Sequence, residues 1–189
     1  TIKASKYKFE YIDLGGGMGI QYDKSEKALN YVKYLSLIRK FLKKYKCKII
    51  FEPGRSIIGN TGYLASRVIY MKNSGKKNFV ILDAAMNDFM RPALYGARHK
   101  ILAAKKNNSK SNKIYEFVGP ICETTDKFLT TSKFQVLNEG DVVLICDVGA
   151  YGIVLSSNYN LRTIPQEVLI KGSKIKTIKI RQSLKALNS

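Results

Sequence analysis

The sequence is poor in the residues that build metal sites and disulfide frameworks. Its 189 residues include one histidine, three cysteines and no tryptophan. The cysteines, Cys47, Cys122 and Cys146, cannot all pair with one another, and none lies in a CxxC motif. These counts argue against a zinc site or a disulfide scaffold, so we expect no bound metal and a reducing, cytoplasmic setting.

Long apolar runs are also missing. No stretch approaches the roughly 20 apolar residues that a membrane-spanning helix needs, so the sequence predicts no membrane segment. The opening residues are basic and polar, and they lack the apolar core of a secretory signal. Because the first residue is Thr rather than Met, we expect the chain to come from the inside of a larger protein.

Acidic residues are scarce relative to basic ones. The sequence has 14 Asp and Glu against 33 Lys and Arg, which gives a formal net charge of +19. Such a balance suits binding to nucleic-acid phosphates, and a nucleic-acid binder is one alternative. However, only seven of the basic residues are arginines, the lysines are scattered as pairs, and no nucleic-acid motif is present. We expect a solvated lysine surface and no specific nucleic-acid partner.

The first third of the chain has the pattern of a strand, a glycine loop, a helix and a second strand. An apolar stretch at 9–14 ends in GGGMG at 15–19, and apolar residues recur every three or four positions over 25–45, which predicts a helix with one buried stripe. Asp23 and Glu26 resemble a capping box, which would start this helix. Residues 47–51 form the next apolar stretch, and EPGR follows at 52–55. This order predicts a βαβ unit whose loops meet at the carboxyl ends of two parallel strands.

Beyond EPGR the pattern changes to short strands. Strand-like runs separated by turn signals occupy 63–71, 79–83, 114–118, 142–146 and 175–180. We therefore expect two domains. Residues 1–60 would form the α/β part, and residues 61–189 an all-β part whose last helix packs back on the first domain.

Two loops at the predicted strand ends carry groups that bind ions. The glycines of 15–19 let backbone amides approach a phosphate, although a plain tight turn explains them equally well. EPGR places Glu52 and Arg55 on one bend, with Pro53 and Gly54 between them. Arg55 can hold a phosphate or a carboxylate in a bidentate fork, and Glu52 suits a cation such as a protonated ring nitrogen. A surface ion pair is the alternative.

Two later motifs add candidate binding residues. In MNDFMRPALY, Arg91 and Tyr95 are placed to grip a carboxylate, unless Tyr95 packs in the core. Tyr151, on the glycine-flanked bend DVGAYG, offers its hydroxyl to a ligand, or else lies in the core at a strand end. The single histidine, His99, stands among basic residues, and we expect it at the surface.

A thiol also stands beside a carboxylate just after a Gly-Pro turn. Cys122 and Glu123 follow this turn directly in the stretch GPICETTD. Together they offer a proton donor and a carboxylate that can bind an ammonium group. The alternative is an isolated buried cysteine beside a solvated glutamate.

Six motifs occur in one order along residues 11–169. They are GGGMG, EPGR, MNDFMRPALYG, GPICETTD, DVGAYG and SSNYNLRTIPQEVL. Together they resemble the second half of the diaminopimelate decarboxylase family, within the alanine racemase and ornithine decarboxylase fold group. The resemblance implies the last strands of a (β/α)8 barrel that binds pyridoxal 5'-phosphate, followed by a β-sandwich or barrel-like domain. It also implies decarboxylation of meso-diaminopimelate to L-lysine and carbon dioxide, by a homodimer with shared active sites.

The resemblance implies roles for the matching positions. The cofactor would contact Gly15, Gly16, Gly17, Glu52, Pro53, Gly54, Arg55 and Tyr151. The substrate would contact Arg55, Arg91, Tyr95, Glu123 and Tyr151. Cys122, contributed with Glu123 across the dimer interface, would return a proton to the substrate carbon. Because an arginine fork suits a second carboxylate, Arg91 favours diaminopimelate over ornithine as the substrate.

Some features depart from the family pattern. Thr124 stands where serine is more usual, and no lysine here matches the one that carries the cofactor. The histidine that stacks on the cofactor is also missing, and the few strands of the first part cannot close a barrel. We therefore expect a fragment, a truncated product or one part of a split enzyme. The alternatives are a related ornithine or arginine decarboxylase and a non-catalytic binding protein.

Overall fold

The computed structural model describes residues 7–22, 26–75 and 77–187. Its strands and helices, in chain order, are β1 (Tyr11–Asp13), α1 (Tyr31–Tyr45), β2 (Lys48–Ile50), α2 (Arg55–Ile58), β3 (Tyr63–Ser74), β4 (Lys77–Leu82), α3 (Arg91–Tyr95), β5 (Ile101–Ala103), β6 (Ile114–Val118), β7 (Lys127–Thr131), β8 (Val142–Cys146), β9 (Glu167–Lys171) and β10 (Lys174–Lys179). Single 3-10 turns occupy Gly59–Thr61, Ile153–Leu155, Tyr159–Leu161 and Leu184–Leu187. Over these ranges, no helix is both long enough and apolar enough to cross a membrane.

The first part of the chain is the predicted strand-helix-strand unit. β1 and β2 pair in parallel, with Tyr11 opposite Lys48 and Asp13 opposite Ile50, and α1 connects them. Parallel pairing places the carboxyl ends of both strands at the same edge. The loops that follow β1 and β2 therefore start side by side.

Helix α1 is shorter and more exposed than the sequence predicted. The side chain of Asn30 caps it by accepting a hydrogen bond from the Lys33 amide at 3.0 Å, which sets where the helix starts. The predicted start falls on residues 23–25, which lie outside the described residues, and 26–30 are not helical. No residue of α1 is buried, and Val32 of the predicted buried stripe is 81% exposed. The stripe residues from Ile38 to Tyr45 are half-buried, whereas Val32 and Leu35 are exposed, so the predicted stripe is only partly covered.

The second part is built on one mixed sheet in the order β5-β8-β3-β4-β6-β7. Neighbouring strands are antiparallel, except that β4 and β6 run parallel. The long strand β3 pairs with β8 through its first residues and with β4 through its last ones. Fully buried apolar side chains from four of these strands form the core, namely Val68, Val80, Leu82, Phe117, Val143 and Ile145. The strand-rich pattern of the second part is confirmed, with α3 as a helical insertion.

Candidate ligand-binding site at the strand and helix ends

The glycine loop and the acidic bend touch through their backbones. The Glu52 amide donates to the carbonyl oxygen of Gly15 at 2.9 Å. A Cβ at Gly16 would lie 2.6 Å from the carbonyl oxygen of Glu52, and Gly15 and Gly17 have φ of 65° and 76°. Glycine is therefore required at three adjacent positions. In the described part of the chain, the Gly16 and Gly17 amides have no hydrogen-bond acceptor, so they remain available to an anion.

A cavity of about 680 Å³ lies where α2, α3 and the DVGAYG bend meet. Its lining consists of Ile20, Tyr22, Glu26, Arg55, Arg91, Tyr95, Gly96, Ala97, Arg98 and Tyr151. Four residues singled out in the sequence, two arginines and two tyrosines, are thus brought together. Tyr95 is 64% exposed and Tyr151 is 45% exposed, so neither is a core residue. Glu52 and the three glycines of the loop lie outside this lining.

Three arginines, Arg55, Arg91 and Arg98, and one acidic residue, Glu26, line the cavity, and the first two arginines lie against its tyrosine rings. The Arg91 guanidinium lies 5.4 to 5.9 Å from the ring centres of Tyr22, Tyr95 and Tyr151. The Arg55 guanidinium lies 5.9 Å from the rings of Tyr22 and Tyr151. Neither arginine forms an ion pair with a carboxylate over the described ranges. Two unpaired cations beside aromatic faces make this cavity suited to an anionic ligand.

The backbone at Tyr151 is held in an unusual conformation. Tyr151 has a φ of 58°, in the left-handed region that side chains rarely adopt. A Cβ on Gly54 would lie 3.5 Å from the Tyr151 hydroxyl, so the ring reaches over the EPGR bend. Strain of this kind persists where the surrounding structure imposes it, and it is concentrated at binding sites.

His99 does not lie at the surface, and that prediction is wrong. Its side chain is 1% exposed and packs edge-on against Phe89 and Tyr22, with ring centres 4.6 and 4.8 Å away. Arg91 Nε donates to His99 Nε2 at 3.3 Å, and His99 Nδ1 lies 2.9 Å from the Cys146 carbonyl oxygen. Burial, and then the neighbouring cations, lower the His99 pKa to about 4, although the hydrogen bond to the Cys146 carbonyl opposes the shift.

Cys122 and Glu123 are both exposed, and neither lines the cavity. The alternative of an isolated buried cysteine is therefore wrong, and the structure does not bring this pair to the two arginines within one chain. Asp126 shapes their loop, because its buried carboxylate accepts hydrogen bonds from the Ile121 amide at 2.9 Å and the Met86 amide at 2.7 Å. Burial raises the pKa of Asp126, and these two amides oppose the rise.

Arg162 has a structural role that the sequence analysis missed. Its guanidinium donates to Asn87 Oδ1 at 2.9 Å and to the carbonyl oxygen of Asp83, and it forms an ion pair with Asp88 at 3.4 Å. The Ser157 amide donates to the Asn87 carbonyl at 2.9 Å. The SSNYNLR segment therefore fixes the MND turn that precedes Arg91.

These features define a sheet domain with an arginine-lined cavity at one edge. A family model described as "Pyridoxal-dependent decarboxylase, C-terminal sheet domain" matches residues 10–149. The chain belongs to this family, and the resemblance noted from the six motifs is confirmed.

Named relatives agree with this assignment. The chain is 44% identical over 184 residues to a diaminopimelate decarboxylase of Neisseria meningitidis serogroup A, covering 97% of this chain and 45% of the relative. It is 38% identical over 177 residues to that of Aquifex aeolicus, covering 94% and 42%. The chain thus spans less than half the length of these curated relatives.

Solved structures match in the same way. The crystal structure of diaminopimelate decarboxylase from Helicobacter pylori complexed with L-lysine superposes with a TM-score of 0.85 at 38% identity, over 94% of this chain and 43% of that one. The enzyme from M. jannaschii superposes with a TM-score of 0.87 at 37% identity, over 94% and 42%. A viral arginine decarboxylase bound to agmatine, with a TM-score of 0.67 and 20% identity, shares the fold.

Proposed function

We propose that this chain is the carboxy-terminal half of a pyridoxal-phosphate-dependent diaminopimelate decarboxylase, which converts meso-diaminopimelate to L-lysine and carbon dioxide. The observation that carries the proposal is the convergence of Arg55 and Arg91, both without an acidic partner among the described residues, on one cavity. The names of the relatives support the same reaction. Residues 1–60 would complete a (β/α)8 barrel, and residues 61–189 would form the sheet domain beside it.

The residues present fit the cofactor. The unpaired Gly16 and Gly17 amides suit its phosphate group, and the missing side chain at position 16 lets this loop pack against the Glu52 carbonyl. The Glu52 carboxylate is exposed and has no cationic partner within the described ranges, so it is free to pair with a protonated ring nitrogen. Pyridoxal phosphate, when bound, supplies an electron sink for the bond that breaks as carbon dioxide leaves.

Arg55, Arg91 and the tyrosines would bind and orient the substrate. Each guanidinium can grip a carboxylate through two parallel hydrogen bonds, and the Tyr95 and Tyr151 hydroxyls can add further ones. A substrate with two carboxylates uses both arginines, whereas ornithine leaves one of them unpaired in the cavity. Because a guanidinium left without a carboxylate in the cavity weakens binding, the site favours diaminopimelate over ornithine or arginine as the substrate.

Cys122 and Glu123 would act in the active site of a second copy of the chain. Both are exposed and lie outside the cavity of their own chain, which supports a homodimer with shared sites. Glu123 would bind the substrate ammonium group. Cys122 would hold a proton at Sγ and give it to the carbon that has lost carbon dioxide, and the thiolate would then regain a proton from water. All three cysteines are unpaired, which suits our placement of the enzyme in the cytoplasm.

The test measures carbon dioxide release by the full-length native protein with pyridoxal phosphate, using meso-diaminopimelate and ornithine. We expect turnover of diaminopimelate, and Arg91→Gln should lower kcat/KM by about 100-fold because a bidentate charged contact is lost. The matched control is Arg67→Gln, since Arg67 hydrogen-bonds the Gly140 carbonyl away from the cavity. A preference for ornithine would refute the substrate, and binding without any turnover would favour a non-catalytic protein.

A further inference from the structure

The buried pair formed by Arg91 and His99 has a defined hydrogen-bond direction. The Cys146 carbonyl can only accept, so the Nδ1 of His99, 2.9 Å away, must carry the proton. The neutral ring then has a lone pair on Nε2, which accepts from Arg91 Nε–H at 3.3 Å. Arg91 therefore donates to His99, and His99 donates to the Cys146 carbonyl. Only the tautomer with the proton on Nδ1 allows both hydrogen bonds.

The carbonyl at the end of this relay is fixed by the sheet. Cys146 closes strand β8, and its amide donates to the Lys100 carbonyl at 2.8 Å, beside His99 in sequence. Phe89 and Tyr22 pack against the imidazole edge-on, and Arg91 itself is only 6% exposed. The imidazole has little freedom to rotate, so it can hold the group that is bonded to it.

The charges around the imidazole favour its neutral form. Arg91 and Arg55 are the nearby cations, and Arg98, Lys100 and Asp147 line the neighbouring cavity that His99 also borders. A second positive charge on the ring would face two guanidiniums in a buried setting. The acceptor lone pair on Nε2 is thus maintained at neutral pH.

An arginine has two edges that can hold a carboxylate. One edge joins Nε to an Nη nitrogen, and the other joins Nη1 to Nη2. His99 occupies Nε, and the Arg91 guanidinium makes no other hydrogen bond to the described residues. A carboxylate can therefore form two parallel hydrogen bonds with Arg91 only along the Nη1–Nη2 edge.

Building on the proposed function, we propose that His99 is a positioning residue that locks the Arg91 guanidinium, so that a substrate carboxylate binds along its Nη1–Nη2 edge. His99 touches neither substrate nor cofactor in this role. It acts through the orientation of Arg91, which would otherwise have to be fixed each time a ligand binds.

One test needs no enzymology. In the full-length protein with ¹⁵N-labelled histidine, the His99 signals at pH 7 should show a protonated Nδ1 and an unprotonated, hydrogen-bonded Nε2. The Nε2 signal should shift in Arg91→Gln. If Nε2 carries the proton, or if the ring is charged at pH 7, the proposal is wrong whatever the protein catalyses.

A matched pair of amide variants tests the consequence for binding. His99→Gln places an acceptor near the position of Nε2, whereas His99→Asn can still donate to the Cys146 carbonyl but is too short to reach Arg91. We expect His99→Asn to weaken L-lysine binding by about 10-fold and His99→Gln by less than about 3-fold. Cadaverine, which lacks the carboxylate, should bind equally to all three proteins. KM for meso-diaminopimelate should follow the L-lysine affinities, with kcat changing less.

The outcomes separate the two proposals. If the wild-type protein binds neither L-lysine nor meso-diaminopimelate, the proposed function fails, while the spectroscopic test of the His99 tautomer still stands. If the wild type binds L-lysine and His99→Asn binds it equally well, the positioning role is refuted and the function stands. In an Arg91→Gln background, His99→Asn should add no further loss, and an additive loss would also refute the role.

Discussion

Replacing Asp126 by alanine tests whether one buried carboxylate holds the loop of Cys122 and Glu123 to the segment that leads into Arg91. Asp126 is 3% exposed, and its two carboxylate oxygens accept hydrogen bonds from different parts of the chain. One oxygen accepts from the Met86 amide at 2.7 Å, and the other accepts from the Ile121 amide at 2.9 Å. Among the described residues, no other side chain accepts a hydrogen bond from these two amides.

The magnitude follows from these two hydrogen bonds. Alanine at 126 leaves two amides without an acceptor, and each unsatisfied buried group costs about 1–3 kcal/mol. Removing the carboxylate also removes its own burial cost, which is the cost that raises its pKa. We therefore expect Asp126→Ala to lower the free energy of unfolding by about 2–4 kcal/mol. Asp126→Asn keeps one acceptor oxygen, so it should lose about half as much.

The assay is urea unfolding of the full-length protein at pH 7, with Asp141→Ala as the control. Asp141 also accepts a backbone hydrogen bond, from the Asn138 amide at 2.8 Å, but that bond lies at an exposed turn. Water can replace it there, so the control should cost less than about 1 kcal/mol. If Asp126→Ala is no more destabilising than Asp141→Ala, the idea that Asp126 joins the two segments is refuted.

Two further predictions concern the phosphate loop and one ion-pair cluster. Gly16→Ala should weaken pyridoxal phosphate binding, followed by absorbance, by about 10-fold or more, because its Cβ meets the Glu52 carbonyl. Gly19→Ala, where a Cβ meets nothing within 4 Å, is the control, and equal effects would contradict the prediction. Glu116 pairs with Lys127 and Lys77 at 2.9 Å each, and these partners lower its pKa below 4.5. The stabilisation from these ion pairs is present above pH 4.5 and is lost as pH falls through the lowered pKa of Glu116. The loss of unfolding free energy caused by Glu116→Gln, measured in urea, should therefore shrink on acidification. An unchanged loss would contradict this.

Features set by local rules could be predicted from the sequence. The closeness of the glycine loop to Glu52 follows from the rule that parallel strands end at one edge, and the structure shows it in the Glu52–Gly15 hydrogen bond. The start of α1 was missed although a local signal existed, since Asn30 is a good capping residue. A sequence of strand-forming residues likewise predicted the β-rich second part.

Features set by distant partners could not be read in this way. Asp126 bonds to Met86, which lies 40 positions away, and nothing near it in the sequence marks the pairing. His99 had a weak signal, because it alternates with Ile101 and both are buried, as expected for one face of a strand. Its basic neighbours suggested the surface instead. The acceptor that fixes its tautomer, the Cys146 carbonyl, lies 47 positions further along the chain.

The candidate site joins two sheets, and a contact between glycines sets its geometry. Arg55 follows the parallel pair β1–β2, whereas Tyr151 follows β8 of the mixed sheet. Between them, the Val148 amide donates to the Gly62 carbonyl and the Gly149 amide donates to the Gly59 carbonyl, both at 3.0 Å. A Cβ on Gly149 would overlap the Ile58 carbonyl, so the two segments touch only because a side chain is missing there. The spacing of Arg55 and Tyr151 is therefore fixed by backbone hydrogen bonds, even though β1, α1 and β2 contain no buried residue.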